Sequence, residues 1–441
     1  METLPDDLWL SVADFLAQDA CRNMCLVSKG FRSLMQPKLF RHYVQPGHPD
    51  DAPASSRPFI RVCLARPDLA AAVRKATVYI FETWEDDADT SESERPKTTT
   101  RDWKCKYSCE IKQLHSKLWP TSIAADDVQR GGILDARYHE RLALFNARNL
   151  ALFCSLVPNI EHLILKLPET PLKVGPVLDY ARTHRKLSTP FLSQLRCLQL
   201  DFRGGQNGID LRDLGPLTTL SSLKTLRGCN VYDDEEDRLG PLAMPRQLSI
   251  EHINLMRSVL THGRLKELIE GCHTLKTFQL VYSEIPTGAI FEYDFEVLSS
   301  AFLAHKACLQ SLTLRFERGT ATYLLEDGDI KGVMIMSSFE CLRHIDLPAW
   351  GMLRGNQDDD DDGNSDTKTI SKLLPRSLES LVVRSCDEDT VTALWGLLSS
   401  LDTLPYLKEI SFTAKHDANL EGLDGFENAC KEKRIGLNKV E

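Results

Sequence analysis

One short phrase, apolar-x-x-apolar-x-apolar, recurs along most of the chain and constrains its fold more than any other feature. It is read in NIEHLILKL (159–167), QLRCLQLDF (194–202), SLKTLRGCN (222–230), TLKTFQLVY (274–282), CLQSLTLRF (308–316), CLRHIDLPA (341–349), SLESLVVRS (377–385) and YLKEISFTA (406–414), with one lapse at Gly228. AVRKATVYI (72–80) is an earlier copy weakened at Ala76, and LSIEHINL (248–255) is a degenerate one. The first apolar positions, Ile160, Leu195, Leu223, Leu275, Leu309, Leu342, Leu378 and Leu407, lie 35, 28, 52, 34, 33, 36 and 29 residues apart. The gap of 52 spans about two units, with the degenerate copy between them. A period of this size marks stacked supersecondary units, none of which can bury its apolar face alone.

Between the copies run segments with apolar residues at helical spacing: 139–157, 254–272, 295–307 and 390–404. Helix and strand alternating at this period predict an α/β solenoid, with leucines pointing inward, helices outside and parallel strands on a concave face. These segments resemble leucine-rich repeats of the long, irregular kind, over residues 65–441. The ending GFENACKEKRIGLNKV (425–440) reads as a last helix and strand that close the stack. The alternative with the same alternation is a doubly wound α/β enzyme. Its strands are continuous apolar runs, whereas these alternate with polar residues.

Charge narrows the function. The 441 residues carry 63 acidic and 53 basic side chains, a formal charge of −10, which opposes nucleic-acid or anionic-membrane binding. The thirteen cysteines have no disulfide-framework spacing. No basic region precedes the first apolar residues, and no run approaches the roughly 18 apolar residues of a membrane span. An intracellular setting, cytoplasm or nucleus, is expected, with the cysteines acting as small buried hydrophobes.

The densest apolar patterning lies in residues 4–40. Leu4, Leu8, Val12, Phe15 and Leu16 form one helical stripe, with Pro5 suited to the first turn and Asp6 and Asp7 favoured by the helix dipole. Asp19 is expected to cap a second helix through Met24, Leu26 and Val27. Gly30 loosens the chain before a third helix with Phe31, Leu34 and Met35, which Pro37 ends or restarts. Three short helices cannot hide all these side chains among themselves, so the surplus meets either the remainder of the chain or a partner protein.

The order Leu4-Pro5, Leu8, Val12, Phe15-Leu16, Asp19, Leu26-Val27-Ser28-Lys29, Phe31, Leu34 and Leu39-Phe40 resembles the F-box motif position by position. It departs at Ala20, where many members carry Leu. The resemblance implies a three-helix F-box at 1–45, followed by a Pro/Ser/Asp-rich linker at 46–64 and the solenoid at 65–441, with acidic insertions near 82–100 and 355–369. It further implies docking on a Skp-type linker protein and, through it, a cullin of a ubiquitin-protein ligase. Leu4, Pro5, Leu8, Leu26, Val27 and Phe31 are the expected docking residues.

Motifs for catalysis are mostly missing. RGGQNG (203–208) places Arg203 where a dinucleotide loop needs its first glycine, and neither a phosphate loop nor a nucleophile elbow occurs. DDDDDGNSD (358–366) starts like a calcium loop but has Thr369 where the bidentate glutamate belongs, so it reads as a solvated acidic insertion. Cys105, Cys109 and His115 lack a fourth zinc ligand, and Cys21 and Cys25 are one helical turn apart in the expected core.

The function expected is therefore a non-catalytic substrate-recognition adaptor with no cofactor. Its target would sit on the strand positions flanking the inward leucines: His162, Lys166, Gln199, Asp201, Arg227, Gln279, Thr313, Arg315, His344, Asp346, Arg384, Glu409 and Ser411. The alternative is a repeat scaffold with no ligase role.

Overall fold

In a leucine-rich phrase the strand is too short to hold itself, and its backbone must find partners in the units before and after it. The computed structural model shows how that is met; it describes residues 5–45, 57–79, 150, 152–167, 192–202, 215–231, 246–282, 293–317, 330–353, 370–414 and 423–439. Twelve strands form one parallel sheet in chain order: β1 (His42–Val44), β2 (Lys75–Tyr79), β3 (His162–Leu167), β4 (Cys197–Phe202), β5 (Thr225–Cys229), β6 (His252–Met256), β7 (Thr277–Tyr282), β9 (Ser311–Phe316), β11 (His344–Pro348), β12 (Ser380–Cys386), β13 (Glu409–Ala414) and β14 (Gly436–Lys439). A separate pair joins β8 (Tyr293–Asp294) to β10 (Ile330–Lys331). Every neighbour in the large sheet is the next one along the chain, so the strand order never reverses. A doubly wound enzyme fold needs such a reversal to open its binding crevice.

From β1 to β13 each repeat is joined to the next by one shared carbonyl. The residue before a strand accepts two N–H groups from the following unit: Arg74 O takes Glu161 N at 2.7 Å and His162 N at 3.0 Å. Glu161 O takes Arg196 N and Cys197 N at 2.8 and 3.0 Å, and Lys224 O takes Glu251 N and His252 N at 2.8 and 3.0 Å. Both lone pairs of the oxygen are used, so the register is fixed at the entry of the strand. Leu163, Leu198, Leu226, Ile253, Phe278, Leu312, Ile345, Leu381 and Ile410 then fall in one buried row. Ile250, Leu275 and the other first apolar positions are buried two residues before their strands.

The degenerate phrase at 248–255 is thus a full repeat, with β6 pairing β5 and β7. It also shortens the helix expected over 254–272, which runs only from His262 to Gly271, capped by the Thr261 hydroxyl. The helix expected at 295–307 covers Phe295–Leu303, capped by Asp294, and that at 390–404 covers Glu388–Ser399 with an Asp387–Thr390 capping box. Leu423–Glu432 and β14 end the stack as read from sequence, with Phe426, Cys430 and Ile435 buried. The expected insertions at 82–100 and 355–369, and Cys105, Cys109 and His115, lie outside the described residues.

The sheet starts earlier than the boundary at 65. β1 pairs in register with β2, and Tyr43 stacks on Phe59 at a centroid distance of 3.7 Å. Residues 57–65, at the end of the expected linker, form helix α4 (Arg57–Ala65), followed by α5 (Pro67–Ala72). Ahead of β1 stand α1 (Asp6–Ala13), α2 (Gln18–Val27) and α3 (Lys29–Phe40). Ala17, not Asp19, occupies the N-cap of α2, and Asp19 sits in its first turn. Ser28 caps α3 by accepting from Phe31 N, so Gly30 lies inside that helix. Pro37 does not end α3; both it and Ser33, whose carbonyl it leaves free, are exposed to water.

Gly228 holds a row otherwise filled by Leu200, Leu255 and Leu280. A Cβ there would lie 2.5 Å from Val231 Cγ2 and 2.9 Å from Leu255 Cδ2, so Val231 has taken the leucine's space. Restoring the repeat consensus with G228L is expected to lower the unfolding free energy by about 1–3 kcal/mol in urea titrations.

The residues before the strands also stack, and the acidic ones there stand between basic neighbours. Glu251 lies between Lys224 at 2.9 Å and Lys276 at 2.6 Å, and Glu379 between Arg343 at 3.5 Å and Lys408 at 2.6 Å. Hydrogen bonds from Lys276 and then Lys224 bring the Glu251 carboxyl down to about 2 from its ordinary 4.5. A depressed carboxyl stabilises the fold above its ordinary value, and that contribution is lost as pH falls from 4.5 toward 2. E251Q is expected to flatten this part of the acid limb when urea midpoints are followed against pH.

Candidate functional site

The parallel register converts the polar positions of the phrase into three rows on the open face of the sheet. The first row begins each strand and holds His162, His344 and Glu409, paired respectively with Cys197, with Ser311 and Ser380, and with Ser380 and Gly436. The middle row runs Gln199, Arg227, Asn254, Gln279, Thr313, Asp346, Val382, Ser411. The third row holds Lys166, Asp201, Cys229, Met256, then Arg315 and Arg384 nearer the C-terminal end. All thirteen residues expected to face a target therefore share one surface.

Within it the structure draws some of them together. Lys166 and Asp201 form an ion pair between adjacent strands. Asp346 accepts from Arg315 Nε at 2.7 Å and from Arg384 Nε and Nη2 at 2.6 and 3.1 Å, so two guanidiniums close on one carboxylate. Glu409 accepts from Asn438 Nδ2 and from Ser411 Oγ. Asp346 and Ser411 differ from the expectation of open contact positions, with only 5% and 4% of their surface accessible. A carboxylate so covered requires charged partners, which the arginines on the flanking strands supply. His162, Arg227 and His344 are exposed, while Gln199, Gln279 and Thr313 are half-buried.

Asn254 and Met256 were not among the expected residues, although they stand in the same rows. Asn254 lies in LSIEHINL, which departs from the repeat, and Met256 directly follows it; only the pairing of β6 reveals their direction. The described surface also has an open cleft of about 380 Å³ bounded by Ser193, Gln194, Arg196, Ser222 and Lys224. It lies at the entry ends of β4 and β5, whereas an α/β enzyme places its pocket beyond the strand C-termini. Among the described residues no three His, Cys, Asp or Glu side chains are grouped to share a metal ion, and no helix is long and apolar enough to cross a membrane.

A second surface belongs to the N-terminal helices. Ala13, Cys21, Cys25 and Met35 form a buried cluster separate from the main core, with Trp9, Leu16, Met24, Phe31, Leu34 and Leu39 packed partly against it. Phe31 meets Trp9 edge-on at 4.9 Å, so this expected docking residue is half inside the module. Leu8, Val12, Phe15, Leu26 and Val27 are exposed instead, Phe15 to 91% and Leu26 and Val27 to 72% and 71%. Pro5 is exposed, and Leu4 lies outside the described residues. Val12 and Phe15 belong to the stripe read from sequence but were not singled out for docking; periodicity alone does not tell which side of a small helix trio faces in.

Removing the clamped carboxylate should leave two arginines facing each other. D346A is expected to cost about 2–4 kcal/mol in denaturant unfolding. R315A should cost under about 1 kcal/mol, since Arg315 is 40% exposed and Arg384 keeps its two hydrogen bonds.

No curated protein gives a significant match to the chain. A family model described as a leucine-rich repeat domain matches residues 182–433, more than half of its length. That range contains the strands from β4 to β13 and nearly all of the open face described above. The repeats, their shared register and this match agree: the chain belongs to the leucine-rich repeat family and is built as a protein-interaction scaffold.

Proposed function

We propose that this protein is the substrate-recognition adaptor of a Skp–cullin–F-box ubiquitin ligase, acting inside the cell in cytoplasm or nucleus. In this reading the N-terminal helices are an F-box that docks on a Skp-type linker protein, and the open face of the repeat sheet holds the target. The linker connects to a cullin, which carries the ubiquitin-transfer machinery. The adaptor makes and breaks no bond. It raises the effective concentration of target lysines near activated ubiquitin, which is how tethering accelerates a bimolecular step.

The observation that carries the reading is the set of exposed apolar side chains Leu8, Val12 and Phe15, on and just after α1, and Leu26 and Val27, at the end of α2. The module turns Met35 and its two cysteines inward and leaves these five side chains in water. Each large aliphatic or aromatic group left exposed forgoes about 1.5–3 kcal/mol of burial, which a partner's groove can recover. The module does pack on the repeats through α3 and β1, with Phe40 stacked on Phe59, but that contact leaves these five side chains uncovered, which favours a partner over the second reading, a scaffold whose helical module merely packs on its own repeats.

Capture of the purified Skp-type linker protein by the full-length chain tests the proposal. L26D and F15D are expected to abolish capture while leaving the thermal midpoint unchanged, because both positions are exposed. Capture at wild-type level by both variants would refute the docking face and leave the scaffold reading.

A further inference from the structure

The described strand positions of the open face have the opposite sign to the chain as a whole. Among them stand Lys75, Lys166, Arg227, Arg315 and Arg384 against Asp201, Asp346 and Glu409, whereas the whole sequence carries −10. Each carboxylate is already engaged: Asp201 by Lys166, Asp346 by two arginines, and Glu409 by Asn438. Arg227, in the middle of the face, is exposed and has no ion pair among the described residues. Its register partners are Gln199 on β4 and Asn254 on β6, so a guanidinium stands between two amides. Beside this group in the next row lie Cys229 and Met256, the latter 37% exposed, a patch of soft apolar ground.

We infer that Arg227, flanked by Gln199 and Asn254, seats the oxyanion of an acidic side chain, carboxylate or phosphoryl, in an extended segment of a partner protein. Charge complementarity selects the partner: a cation with free hydrogen-bonding directions pairs strongly with a carboxylate or phosphate, and the surplus positive charge of the face draws acidic sequences toward it. The amides supply further hydrogen bonds, and the backbone beside the acidic residue rests on Met256. This assignment rests on the open face being the target-holding surface, and it does not depend on the N-terminal docking face.

Fluorescence anisotropy with the full-length protein tests it, using three short fluorescein-labelled peptides: one alternating glutamate and serine, its glutamine counterpart, and that counterpart with one phosphoserine. At least one anionic peptide should bind ~10-fold tighter than the glutamine peptide, with an affinity that falls as salt rises. The tighter of the two identifies the oxyanion as carboxylate or phosphoryl. R227E should reduce it to the level of the glutamine peptide, and R227K should retain part of the preference, with thermal midpoints unchanged in both. Equal binding of all three peptides, or a preference that survives R227E, would overturn the assignment. L26D, which removes linker capture in the docking proposal, should leave peptide binding intact, so failure of either idea is separable from the other.

Discussion

One backbone oxygen per repeat, shared between two N–H groups of the next, is what the rest of the molecule depends on. Because it sits one residue ahead of each strand, it sets the phase before any side chain is placed. A slip by one residue would send the leucines into water and the polar rows into the core. With the phase fixed, every inward row is buried along the sheet, and the outward rows become a continuous surface without further design.

The same phase brings like positions of different repeats to strand spacing, and this is a source of both stability and risk. Like charges at equivalent positions would repel along the stack. At two places the chain relieves this with a carboxylate between cations, Glu251 between Lys224 and Lys276 and Glu379 between Arg343 and Lys408, while Arg196 and Lys224 remain neighbours of like charge. On the open face the same economy appears as Lys166 with Asp201 and as Asp346 between two arginines. Among the described residues Arg227 is left without such a partner.

Much of this architecture was legible in the residues because the leucine phrase is a direct statement of burial. The eight regular copies name their strands, and their spacing locates a ninth in the long gap. The inward alternation also gave the direction of His162, Gln199 and Arg227. What stayed hidden was physical in origin. Asp346 looked like any polar strand residue, because its burial arises from Arg315 and Arg384, which lie 31 and 38 residues away. Asn254 was masked by a phrase whose helical reading competed with its strand. Pro37 and Gly30 were read as breaks, but the exposed setting of Ser33 and Pro37 and a serine cap let α3 pass through both. Phe31 and Phe15 carry the same hydrophobicity, and only tertiary packing decides that one turns toward Trp9 while the other does not.

The two ends of the sheet carry a different lesson. A stack of parallel units has no intrinsic length, and bare strands at its margins would invite another copy to continue it into a filament. Here the first strand has three residues and grows directly out of a helix, while the last has four and shows Asn438 and Lys439 to solvent. Margins this short give an incoming strand little to zip against, which disfavours edge-to-edge pairing of a second copy.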